Sequence, residues 1–293
     1  MFKSCLICTD FSDGLYRLVN FVPDLAQAGL NKIVFFNSVP LWEEGEVPRI
    51  DEEKVKEAQN RLKSATINIP NGVNVQIEVL SGKPLDTIPR VLKNHPVDVV
   101  ITGTPIRSLL QEQFFGSTSV GLAKLINQPL TIIRPQLITT YTTEELKLRC
   151  QHLWQYLLIP YKEGPSARYL IEQIKREVQK HPDSPLKQCL LISVVEEGGR
   201  TAMLSEHRLK EAQEKLASVK AELEALGLKV DAEVKQGNPL QEIMNAALEH
   251  DISAIAIATA QRNTLLQWTA PSFANDLMRR SWFPMVFFSQ KTR

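Results

Sequence analysis

The second half of this chain is a diverged copy of the first. Displacing the sequence by 155 positions aligns, without a gap, Gly82 with Gly237, Pro84 with Pro239, Leu85 with Leu240, Ile88 with Ile243 and His95 with His250. The same displacement pairs Thr104 with Thr259, Arg107 with Arg262, Leu110 with Leu265, Ser117 with Ser272, Leu122 with Leu277 and Pro129 with Pro284. Upstream the offset slips by one, because Lys-Glu-Ala-Gln stands at 56–59 and again at 210–213. A one-residue slip belongs in a loop rather than inside an element. The pattern is that of a tandem duplication, and 293 residues suffice for two domains of ordinary size.

Within each half, short apolar runs alternate with longer amphipathic stretches. Runs at 5–9, 32–37, 73–80, 97–102 and 130–133 read as buried strands, with helical patterns near 12–29, 51–66, 84–95 and 117–127. Gly82 closes the third strand, and Pro84 opens the next helix, where a missing N–H costs nothing. The second half repeats the order, with strands near 155–160, 187–195, 229–235, 253–258 and 284–288. Its helices fall near 165–180, 203–226, 239–250 and 272–282. Strict alternation with apolar strands predicts an α/β fold: two tandem doubly wound, Rossmann-like domains, each a parallel sheet with helices on both faces. The expected domains are 1–138 and 152–293, joined by a Thr-rich linker over 136–151 with a short helix in it.

Composition excludes several classes. Lys plus Arg number 34 and Asp plus Glu 33, for a formal charge of +1. That balance lacks the basic excess of a dedicated nucleic-acid or anionic-membrane binder. Apolar residues at 43% and charged residues at 23% are those of a globular chain. Four cysteines are too few for a disulfide scaffold of this size. Asp10 interrupts the N-terminus before a signal-like apolar core can develop, and no run approaches the ~18 apolar residues of a spanning helix. The expectation is a cytoplasmic protein without nucleic-acid or membrane partners.

The loop after the fourth strand carries the most chemistry. Gly103 lets the backbone pass close to a ligand at the carboxyl end of a strand. Gly116-Ser117-Thr118-Ser119 then opens a helix with free N–H groups and three hydroxyls, an arrangement suited to an anion such as phosphate. On spacing alone, the same residues serve equally as a helix cap and a chain turn.

These residues, with Asp10 after the first strand, Ser38-Val39 after the second and Gly82-Lys83-Pro84 at the third helix, resemble the nucleotide motif of the universal stress protein family. The resemblance covers both halves. It implies a five-stranded parallel sheet per domain, pairing through the fifth strands as a pseudo-dimer within one chain, and ATP or another adenine nucleotide in some members only. Carried across, Asp10 and Val39 would contact adenosine, while Gly103, Gly116, Ser117, Thr118 and Ser119 would cradle the ribose and phosphates. Ile106 departs from the pattern, standing where the family has its second glycine. In the second half Ala258, Gln261, Pro271 and Ser272 take the matching places, with Tyr161 expected opposite Asp10. All three glycines are gone there, and Pro271 removes an N–H. The expected nucleotide site is therefore confined to the first domain, with the second a structural partner.

Other chemistry finds little support. Gly116 and Gly121 are spaced as in a P-loop, but Leu122-Ala123 follows where Lys-Ser/Thr is required. Cys5 and Cys8 form Cys-x-x-Cys on a strand rather than at a strand-to-helix turn, which predicts core thiols. The five histidines lack metal-ligand spacing, and His95 and His250 read as helix C-terminal residues. The helix over 203–226, with Glu211 four residues before Lys215, reads as a solvated charged face. A regulatory or protective, non-enzymatic protein is the expected function. The alternatives are an adaptor that binds no nucleotide, and a slow ATPase, against which stands the lack of a lysine in the cradle.

Overall fold

The computed structural model describes residues 1–11, 14–42, 48–103, 121–123, 125–196, 202–260 and 273–290. The chain forms two compact units, Phe2–Gln151 and His152–Arg293, the latter together with Met1.

In the first domain β1 (Ser4–Cys8) leads through a 3₁₀ turn (Leu15–Asn20) and α1 (Val22–Gln27) to β2 (Lys32–Val39). Then follow α2 (Glu52–Leu62), continued by a second 3₁₀ turn, and β3 (Asn74–Ser81). After these come α3 (Pro84–Asn94), β4 (Val99–Gly103) and β5 (Leu130–Ile133), and last α4 (Pro135–Thr140) and α5 (Thr143–Gln151). Residues 121–123 and 125 are also helical. The helix expected over 12–29 is broken. Pro23 has no N–H to continue an incoming helix, and α1 restarts with it in its first turn.

The strands run β3-β2-β1-β4-β5, and each neighbouring pair is parallel. Successive residues Leu6–Ile7, Val34–Phe35 and Val100–Ile101 are all fully buried, so helices cover both faces of the central strands. Each such side chain contributes roughly 1.5–3 kcal/mol by leaving water. β3 differs from the buried strand its apolar content suggests. It stands outermost in this order and its residues after Asn74 are half-buried, with Gln76 and Glu78 alternating with Ile77 and Val79.

Residues 136–151 do not form a free linker. Thr142 and Glu145 make a reciprocal capping box: Thr142 N–H donates to Glu145 Oε2 at 2.8 Å, and Glu145 N–H to Thr142 Oγ1 at 3.3 Å. The helix α5 that this opens buries Leu146 and Cys150, four residues apart on one face. Gln151 Nε2 donates to Asp24 Oδ1 of α1 at 2.7 Å, and Arg17 Nη1 donates to the carbonyls of Ile138 and Tyr141. A polar, Thr-rich composition hid this two-residue apolar stripe.

The second domain repeats the plan. Its elements are β6 (Tyr156–Pro160), α6 (Pro165–Lys180), β7 (Gln188–Val195), α7 (Ala202–Glu224) and β8 (Lys229–Gln236), then α8 (Pro239–Glu249), β9 (Ala254–Ala260), α9 (Phe273–Arg280) and β10 (Met285–Gln290). The order β10-β9-β6-β7-β8 is again parallel between neighbours. Helix α7 is charged on one side, with Lys215 Nζ 2.6 Å from Glu211, but buries Leu216, Val219 and Leu223 on the other. Among the described residues no helix is long and apolar enough to cross a membrane.

Candidate functional site

In a parallel sheet of this order the chain leaves β1 toward β2 on one side, while β4 flanks it on the other. The crevice where strand order reverses therefore opens at the carboxyl ends of β1 and β4. Asp10 lies two residues past β1 and is exposed, while Gly103 is the last residue of β4. Ile7 is level with Ile101, a register that carries Thr9 level with Gly103. Asp10 and Gly103 thus flank the crevice. Val39 is the last residue of β2, one strand away, and is buried. The expected positions Gly116, Ser117, Thr118 and Ser119, and the variant position Ile106, lie outside the described residues, as do Gln261, Pro271 and Ser272.

The exit from β1 is shaped by residues that the motif search passed over. Thr9 N–H donates to Phe36 O at 3.0 Å, prolonging the ladder one residue past the strand. Thr9 O accepts from the buried amide of Asn37 at 2.8 Å, and Thr9 Oγ1 accepts from Phe11 N–H at 3.1 Å. Phe11 takes φ +66°, in the left-handed region, and with its N–H tied to the Thr9 hydroxyl it bends the chain at Asp10. Phe11 lies under the Arg61 guanidinium at 4.2 Å, with Tyr16 5.5 Å from the same group, which helps hold the unusual backbone in place. One signal was legible: an Asn inside an apolar strand must find a partner when buried.

Val39 is held from the other side. Its carbonyl accepts from Gly82 N–H at 2.9 Å, and the neighbouring Ser38 Oγ donates to Gly82 O at 2.8 Å. Gly82 has φ +136°, and a Cβ there would stand 3.2 Å from Thr87 Cγ2. Its role is therefore to turn the chain tightly between β3 and α3. Exposed carboxylate, passing glycine and anchored valine together form a crevice that can accept donors from a ligand at Asp10 and admit it closely at Gly103.

The second domain corrects one expected equivalence. Tyr161 N–H donates to Ile192 O at 2.7 Å, as Thr9 N–H does to Phe36 O, while Pro160 pairs with Ile192 as Cys8 pairs with Phe36. Tyr161 therefore stands at the place of Thr9, and Lys162 at that of Asp10. The backbone ladder sets this register, and between β1 and β6 the displacement is 152 rather than 155. A carboxylate has been exchanged for an ammonium, with Lys162 Nζ 3.8 Å from Glu196. Beside it a cleft of about 410 Å³ contains Arg208, Glu211 and Lys215. Glu163 and Glu211, at 2.5 and 2.6 Å, hold the Lys215 ammonium above the usual lysine range.

Burial pushes the Cys5 thiol far up, with Cys8 and Asp98 adding to it, so Cys5 is the core thiol expected, whereas Cys8 at the strand end is only half-buried. His95 and His250 stand at the C-caps of α3 and α8, as expected. Each also pairs with a strand carboxylate, Glu78 at 2.8 Å and Glu233 at 2.7 Å, a contact repeated in both domains.

Comparison with known proteins agrees with the fold. The model of the universal stress protein family matches twice, over residues 1–134 and 154–288. A universal stress protein from Archaeoglobus fulgidus DSM 4304 is similar at 18% identity and TM-score 0.65, over 98% of this chain and 96% of that one. A functionally unknown protein from Pseudomonas aeruginosa PAO1 is similar at 13% identity and TM-score 0.60, over 98% and 92%. Both likenesses are of fold. Among curated proteins none matches the sequence.

Proposed function

The chain belongs to the universal stress protein family, and from that premise we propose that its first domain alone binds ATP or another adenine nucleotide in a regulatory or protective role. The observation that carries this reading is the first-domain crevice: Asp10 and Gly103 flank the reversal of strand order, with Val39 anchored beside them. Asp10 receives donors of the adenosine, Gly103 admits the ribose closely, and the N–H groups at Gly116–Ser119 receive the phosphates. In the second domain Lys162 replaces the carboxylate, Ala258 replaces Gly103, and Pro271 has no N–H to give.

The protein acts in the cytoplasm as a binding protein rather than an enzyme, with the second domain standing in for a partner subunit. Titration calorimetry of the intact chain with ATP tests the reading, together with mass spectrometry of ligand released on denaturation. One nucleotide per chain, weakened by Asp10→Ala, is expected. A stoichiometry of two would refute the confinement to the first domain, and zero would make the protein an adaptor. Phosphate release from ATP by the purified chain would establish the ATPase reading instead.

A further inference from the structure

We propose that the second domain holds a binding site for a neutral, apolar ligand of one or two aromatic rings, in the cavity at the carboxyl ends of β6, β7 and β9. The cavity measures about 220 Å³, and among the described residues its lining comes from the second domain, including Tyr161, Val194, Ile257, Ala258, Phe273 and Ala274. It occupies the second domain's own reversal of strand order, between β6 and β9.

The lining differs from the first domain chiefly by the loss of hydroxyls, although Glu196 brings a charge to the place of Pro40. Gly82 N–H reaches Val39 O and Gly237 N–H reaches Val195 O, so Val194 stands at the place of Ser38. The 155-residue displacement puts Ile257 at Thr102, Phe273 at Thr118 and Ala274 at Ser119. Four hydroxyl-bearing residues have become hydrocarbon, and Tyr161 brings a ring to the place of Thr9. A crevice that had only lost a nucleotide could close, or take up the polar residues usual at a wet surface. This one is open and mostly apolar, the character of a small-molecule site.

Size and charge narrow the ligand. A cavity of about 150 Å³ lined by Leu, Ile and Phe holds benzene, whereas drug-sized pockets start near 300 Å³. A cavity of about 220 Å³ lies between and suits one or two rings. Tyr161, 4% exposed, and Phe273, 40% exposed, offer rings for stacking or edge-to-face contact. The charged lining residues Lys162 and Glu196 face each other at 3.8 Å, so they present no net charge to an ion. A charged ligand would lose its hydration against the remaining apolar wall.

Indole is the probe, and the intact chain is titrated with it by calorimetry in the presence and absence of ATP. One indole per chain is expected, undisplaced by ATP. Ala258→Leu, which fills the cavity from β9, should weaken it by roughly tenfold or more while leaving ATP binding unaltered. No indole binding up to its solubility limit, displacement by ATP, or unchanged affinity in Ala258→Leu would overturn the proposal. Should Ala258→Leu not fold, nuclear Overhauser contacts from indole to the Ala258 and Ala274 methyls of the unsubstituted protein decide. Their presence supports the site and their absence refutes it. Because indole and ATP are read separately, failure here leaves the first-domain nucleotide reading standing.

Discussion

Gly82 and Gly237 allow a matched experiment inside one molecule. They are copies of each other, with φ +136° and +140°, and each N–H holds the end of the second strand of its domain. Replacing either by alanine forces an L side chain into the left-handed region, at about 1–2 kcal/mol. A counteracting gain of about 0.4–1 kcal/mol from restricting the unfolded chain applies equally to both and cancels in the difference. The surroundings do not cancel. At Gly82 the new Cβ would stand 3.2 Å from Thr87 Cγ2. Thr87 is 1% exposed, and its hydroxyl lies 3.0 Å from both Lys83 O and Ser38 Oγ. It can withdraw only by loosening hydrogen bonds of about 0.5–1.5 kcal/mol each. At Gly237 the nearest atom is Glu242 Oε1 at 3.4 Å, the far end of a flexible side chain. Gly82→Ala should therefore cost about 1 kcal/mol more than Gly237→Ala. For a domain of this size that difference is worth about 2–4 °C in melting temperature. Urea denaturation of the two variants, with calorimetric scans alongside, measures the difference. ATP affinity should fall only for Gly82→Ala, because Val39 hangs from that turn. Equal costs, or a larger cost at Gly237, would refute the reasoning.

Asn37→Ala strands the Thr9 carbonyl in a buried place and should cost about 1–3 kcal/mol, with weaker ATP binding as the Asp10 turn loosens; chemical denaturation and calorimetry read the two effects, and an unaltered urea midpoint would contradict it. Asp10→Ala should leave the melting temperature within about 1 °C, since the side chain is exposed, while lowering ATP affinity roughly tenfold. Burial pushes Cys150 and Cys189 each up to about 12, and Cys5 further. At pH 8 a thiol reagent should accordingly modify at most the half-buried Cys8 in the native protein, and all four cysteines after denaturation. With folded-state values raised, the thiols' contribution to stability is whole below their usual pKa of about 8.5 and is lost as pH rises above it. The unfolding free energy should fall by about 1.4 kcal/mol per pH unit for each such thiol, and urea midpoints that stay level from pH 8 to 10 would rule this out.

The repeat, the alternation of elements and the parallel sheets were legible in one dimension, because a buried parallel strand must be continuously apolar and a covering helix must be amphipathic. Gly82 and Pro84 marked a real turn and a real helix start, since both act through their own backbones. Three features depended on partners distant in sequence. Leu146 and Cys150 bury one face of α5 against the first domain, which no count of threonines between 136 and 151 could reveal. Asn37 reaches Thr9 from the adjacent strand and shapes the turn that presents Asp10. The register of β6 on β7 moves Tyr161 to the place of Thr9 and puts Lys162 opposite Asp10, reversing a charge at the crevice. Sequence determines what each segment can bury, whereas pairing in space decides which residues face one another. The second domain's cavity belongs to the latter kind. Its apolar wall is assembled from β6, β7, β9 and the start of α9, which are neighbours only once the sheet has formed.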